Sequence, residues 1–201
     1  TLMRRKFHPW EGGEGKVPEQ YIFSNIALGT PENTFTYPEN LGEGKLYGAQ
    51  ENRQNYYMGV KTGNDEYFQE ASTGLSEPAS AMYYNDQPPE TIFYQGMALL
   101  KRGKPDGANE RFDRLIDFAD THIDDEISID YFAVSLPDLL VFDEDLNVKN
   151  RLHCLFMKAL GLYGKGDKEQ SKRLFEQALE INPNTFQIAT HYNLLFKENN
   201  I

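Results

Sequence analysis

The segment Tyr83-Tyr84-Asn85-Asp86-Gln87-Pro88-Pro89 sets two aromatic faces beside an amide and a carboxylate. That combination suits a sugar or a peptide, which takes ring contact plus a few directional hydrogen bonds. Trp10-Glu11 offers a weaker version of the same pairing. Trp10, Glu11, Tyr83, Tyr84, Asn85 and Asp86 therefore form the candidate ligand-binding set. The plainer reading, which we favour, packs the tyrosines in the core and uses Asn85 or Asp86 to turn or cap the chain before a helix.

Other chemistry-bearing residues carry less. Two Gly-Glu-Gly-Lys segments, 13–16 and 42–45, invite a phosphate-loop reading. Such a loop needs a hydroxyl after its lysine to reach magnesium. Val17 and Leu46 stand there, and each loop holds a carboxylate that repels phosphate. We read both as irregular loops joining helices. Asp124-Asp125-Glu126 and Asp143-Glu144-Asp145 lack the ligand spacing and glycine of a calcium loop. Glycoside hydrolysis needs two facing carboxyls, and no spacing here says which pair would meet. Both runs read as solvated charge beside helix starts, the helix end that acids favour.

His8, His122, His153 and His191 are scattered, with no His-Glu-x-x-His arrangement. Each reads as a surface or satisfied interior histidine. Cys154 lies in an apolar stretch and reads as packing rather than a nucleophile. No serine has an evident His/Asp partner. We expect no catalytic residue, metal or cofactor, and a chain that is not an enzyme by itself.

The elements that position these residues are clearest in the second half. Leu155, Ala159, Leu162, Gly166-Asp167, Ser171, Phe175, Ala178-Leu179 and Pro183-Asn184 place apolar or small residues three or four apart on both sides of Gly-Asp. This predicts helix, tight turn, helix. Pro183 stops the second helix, because it lacks the amide and biases Asn182 away from helical geometry. A second copy lies upstream. Gly96, Gly103, Ala108 and Phe112 each fall 63 residues before Ala159, Gly166, Ser171 and Phe175. Its proline is absent, with Asp120 in that place, so the second helix is expected to run on to Thr121-His122.

The pattern resembles the tetratricopeptide repeat. The register fits from Leu152 to about Thr185, with Leu155 where the family has Trp and Ser171 where it has Ala. Phrases along the chain, such as Pro9-Trp10-Glu11-Gly12-Gly13, Asn40-Leu41-Gly42-Glu43-Gly44-Lys45, Met82-Tyr83-Tyr84-Asn85-Asp86 and Asp130-Tyr131-Phe132-Ala133-Val134, resemble the C-terminal region of large bacterial multidomain proteins. Those proteins carry a β-rich domain like those of sugar enzymes ahead of tetratricopeptide-like helices. The resemblance implies an all-helical superhelix and a link to carbohydrate metabolism, and it carries no catalytic residue onto this chain.

Between the copies, Ile127–Leu136 and the stretch opened by Pro137 are expected to form an extra helix pair. Gln187–Lys197 is expected to be a terminal helix covering the last repeat. The first 87 residues are dense in glycine and proline. Tyr67-Phe68-Gln69-Glu70-Ala71 matches Leu174-Phe175-Glu176-Gln177-Ala178, yet Gly59 precedes Ala71 by only 12 residues, against 19 in both good copies. No full turn and second helix fit that spacing. Ile26-Ala27-Leu28-Gly29 is cut off similarly by Thr30-Pro31. Either these hairpins are degenerate or residues are missing from them, and we prefer omission.

Composition bounds the rest. The 201 residues include 31 acidic and 20 basic side chains, a net charge of −11. An acidic chain lacks the basic face of a nucleic-acid binder. No apolar run approaches a membrane span of about 18–20 residues. Aromatics at 13% are too frequent for a disordered acidic tail. A single cysteine forms no internal disulfide, which suits the cytoplasm. The basic start leads into Pro9 rather than an apolar stretch, so it reads as a cut inside a longer protein and not as a signal peptide.

We therefore expect an all-α, tetratricopeptide-like superhelix. An irregular region would occupy 1–87, and repeats at 89–122 and 152–185 would lie within 88–201. The expected function is a non-catalytic interaction or scaffold module of a larger protein, holding a peptide or neighbouring domain in a concave groove. The alternative is a helical domain that helps form a carbohydrate site completed by another domain.

Overall fold

The computed structural model describes residues 51–80, 88–127 and 145–197. Seven helices lie among them: α1 (Asn52–Thr62), α2 (Asp65–Ala71), α3 (Pro89–Lys101), α4 (Pro105–His122), α5 (Leu146–Gly164), α6 (Lys168–Ile181) and α7 (Phe186–Phe196). No strand occurs among the described residues. The fold is all-α and tetratricopeptide-like: three antiparallel hairpins, α1/α2, α3/α4 and α5/α6, followed by a single helix.

Local chemistry sets the boundaries. Pro89 and Pro105 open α3 and α4, where a missing amide costs nothing. Asn64, Asp145 and Asp167 cap α2, α5 and α6 by accepting from backbone N–H groups of the first turn. The two long hairpins turn identically. Gly103 and Gly166 sit at φ +68° and +91°, a region that side chains with a Cβ avoid. At each turn the glycine N–H and the next N–H donate back to two carbonyls of the ended helix: Gly103 to Leu100 and Lys104 to Leu99, then Gly166 to Tyr163 and Asp167 to Leu162. Every one of these pairs is offset by 63 residues.

Packing repeats with the turns. Phe93 meets Phe112 at a ring separation of 6.2 Å across α3/α4, and their counterparts Phe156 and Phe175 meet at 5.9 Å across α5/α6. Ala108 and Ser171 are equally buried, and the Ser171 hydroxyl is satisfied by donating 2.7 Å to the Ala159 carbonyl. The hairpins stack through α4 and α5. Gly161 permits the close crossing, since a Cβ there would stand 2.8 Å from the Phe112 carbonyl oxygen. Along the same seam Lys158 pairs with Asp120, Lys165 with Asp113 and Arg151 with Asp124.

One expectation needs correction. The short spacing in 52–71 does accommodate a turn and a second helix. Gly63 and Asn64 make a two-residue link, and α2 has only seven residues. Phe68 then lies against Gly59 as Phe112 lies against Gly96, although nine residues separate the first pair and 16 the second. The acidic run Asp124-Asp125-Glu126 follows the carboxyl end of α4. Asp145, by contrast, caps the start of α5. Asp143, Glu144 and most of the expected extra helix pair lie outside the described residues.

α4 runs to His122, and Ile181 ends α6 two residues before Pro183. α7 covers the end of the second long hairpin through Ile188, His191 and Leu194, and Phe196 packs on Tyr163 and Phe175. It also reaches the first long hairpin, where His191 meets Tyr94.

Candidate functional site

A cleft of about 460 Å³ opens where the two long hairpins meet. Phe118 and His122 supply one wall from the last turn of α4, and Asn150 faces them from the first turns of α5. Asp125 and Ile127 follow α4, and Pro78, Ala79 and Ser80 close the other side.

A strap, residues 72–80, is fixed in place by side chains from four helices. Asn52 donates to the Ala71 and Thr73 carbonyls at 2.8 and 2.9 Å. Gln95 donates to Thr73 and Leu75 at 3.0 and 2.8 Å. Arg114 holds the Ser76 hydroxyl at 2.7 Å and the Glu77 carboxylate at 2.5 Å. Finally, the Nε2 of His153 bonds the Ala79 carbonyl at 2.8 Å, and burial lowers the pKa of this histidine.

The opposite wall is equally tied. Asn150 donates to the His122 carbonyl at 2.7 Å, joining α5 to the end of α4. Asn147 accepts from Ile127 N–H at 2.8 Å. The His122 ring stands 4.4 Å from that of Phe118, and its Nδ1 lies 2.7 Å from Asp125 Oδ2.

A histidine oriented by a carboxylate is half of a nucleophilic constellation. Ser80 lies on the same cleft, but no hydrogen bond joins it to His122, so the nucleophile–base contact is missing. Cys154, nearby on α5, is no substitute: burial, and secondarily Asp125 and Asp124, push its thiol up to about 11. Among the described residues no group of three or more His, Cys, Asp or Glu side chains converges as a metal site. No described helix is long and apolar enough to cross a membrane.

A second constellation is largely interior. Tyr57 and Tyr94 share a hydroxyl–hydroxyl bond of 3.1 Å. The His191 ring lies 5.9 Å from Tyr94 and 5.3 Å from Phe156. Gln187 reaches Glu90 at 3.4 Å. These contacts lock α7 onto α3 and α5. Burial raises the Tyr94 phenol well above its ordinary value and lowers His191 to about 4. With α3 buried on nearly every side, this cluster reads as a polar part of the core.

The ligand-binding set Trp10, Glu11, Tyr83, Tyr84, Asn85 and Asp86 lies outside the described residues, as do both Gly-Glu-Gly-Lys segments and His8. The described cleft instead rests on residues that sequence reasoning did not assemble. A signal was present: Phe118, His122 and Asp125 are spaced four and three apart, the spacing of neighbours on one helix face.

Residues 90–118 and 153–185 match the tetratricopeptide repeat family. No solved structure matches the chain. The two matched spans are the two hairpins whose turns and ring pairs coincide.

Proposed function

We propose that this chain is a non-catalytic interaction or scaffold module of a larger bacterial protein, binding a peptide or a neighbouring domain. The supporting observation is the pair of equivalent, stacked tetratricopeptide hairpins, an architecture that commonly mediates contacts between proteins. Such a stack presents a rigid, extended surface without spending residues on chemistry. The half-made His122–Asp125 arrangement and the inert Cys154 agree with a binding role.

A net charge of −11 favours a neutral or basic partner and an association weakened by salt. The test is a calorimetric titration of the folded chain with the upstream region of its own polypeptide, at low and moderate salt. Saturable binding that weakens with salt is expected. Absence of heat with both proteins folded would move the search to partners outside the polypeptide.

A further inference from the structure

We propose that the cleft between the two long hairpins is a receptor for one long basic side chain, Lys or Arg, presented by the partner. This rests on the interaction-module reading above and names the chemistry of the partner at one place.

The cleft combines an apolar interior with an anionic end. Phe118, Pro78 and Ile127 offer ring and aliphatic surface, which suits a methylene stem. Asp125 stands at the same cleft with its side chain 47% exposed. Only its Oδ2 is engaged by His122, and a carboxylate has acceptor capacity beyond one such bond. The last turn of α4 delivers Phe118 and His122, so the negative end of that helix dipole also faces the cleft. Asp124 and Glu126 flank Asp125, and Arg151 engages Asp124 but has no ion pair with Asp125. An acidic or purely apolar side chain would leave this end uncompensated, whereas an ammonium or guanidinium on a long stem satisfies both halves.

The cleft is also preformed. Arg114, Gln95 and His153 fix the strap, while Asn150 and Asn147 fix the far wall. Little ordering is therefore left to oppose binding.

The probe is a pentapeptide with one lysine among glycines, blocked at both ends, compared with its norleucine counterpart. Binding to the whole chain is followed by NMR. Saturable shifts confined to Phe118, His122, Ile127, Asn150 and their neighbours are expected. Replacing lysine by norleucine, or making Asp125→Asn, should each weaken binding by about fivefold or more, the scale of one exposed ion pair. Asp125 is half-exposed, so the variant should keep the fold, which circular dichroism checks. Equal affinity for both peptides, shifts elsewhere, or no effect of Asp125→Asn would overturn the proposal. If the upstream region binds the parent chain while the lysine peptide does not, this inference falls and the interaction-module reading stands. If neither binds the parent chain, this inference falls and the search for the module's partner moves outside the polypeptide.

Discussion

Gly96 and Phe112 face each other so closely that a Cβ on the glycine would overlap the phenylalanine ring. The ring is fully buried, and Gly164 presses on it from α5, so it has no direction in which to yield. Gly96→Ala should therefore destabilise the protein, although alanine is the better helix former by about 1 kcal/mol. Overpacking typically costs about 1–3 kcal/mol and should prevail. Urea unfolding of the variant should show a lower midpoint, and an unchanged or higher midpoint would mean that the ring can move. The equivalent residue in the next hairpin is already Ala159, so Ala159→Gly should lose only about 1 kcal/mol of helix preference plus the contacts of one methyl.

The two hairpin glycines should behave alike. A Cβ at Gly103 or Gly166 meets nothing within 4 Å, so the penalty of substitution is backbone strain alone. Alanine at either position should cost about 1–2 kcal/mol, the usual left-handed penalty. Asparagine should cost less, because its side chain can bond locally in that region. Equilibrium unfolding of the four variants tests this. A neutral Gly166→Ala would show that the turn can close without left-handed geometry.

Ser171 fills a place that its counterpart Ala108 leaves to a methyl. Its hydroxyl donates to Ala159, a carbonyl that lies in the body of α5. Ser171→Ala removes the donor and leaves that carbonyl its backbone partner, so no buried group is orphaned. Alanine also improves the helix preference of α6. The variant should match or slightly exceed the parent in thermal midpoint. A clear drop would show that the serine hydroxyl contributes more than the repeat pattern requires.

The repeat was legible because its rules are local. Helix spacing, Gly103 and Gly166 at turns, and Pro183 past a helix end act within a few residues of themselves. The α1/α2 hairpin was misjudged because fixed spacing stood in for the physical requirement. What packing demands is a ring on a glycine, and Phe68 reaches Gly59 through a two-residue turn and a short helix just as Phe112 reaches Gly96 through a longer route. The cleft was harder still. Its walls come from the strap, the end of α4, the residues after it and the start of α5, which only the stacking of hairpins brings together. Similarly, nothing local announced that His191 would sit against Tyr94, 97 residues earlier.

That buried histidine should leave a signature in the pH dependence of stability. His191 is fully enclosed by Tyr94, Phe156 and its own helix, its Nδ1 donates 2.8 Å to the Gln187 carbonyl, and its Nε2 is buried with no hydrogen-bond partner among the described residues. Burial chiefly, and Arg53 to a lesser degree, holds it near 4 despite the opposing pull of the Gln187 carbonyl, against an ordinary 6.5. The folded protein thus excludes a proton that the unfolded chain accepts once the pH falls below 6.5. Stability is fully present above 6.5, declines as the pH drops toward 4, and loses on the order of 3 kcal/mol across that window from this residue. His153 is shifted in the same direction by burial, so it adds to the slope. His191→Phe keeps an aromatic ring between Tyr94 and Phe156 without a titrating group. Urea midpoints measured from pH 7 to pH 4 should therefore fall less steeply for this variant than for the parent. Parallel curves would mean that the folded protein admits the proton, as it would if α7 left its seat on Tyr94 readily.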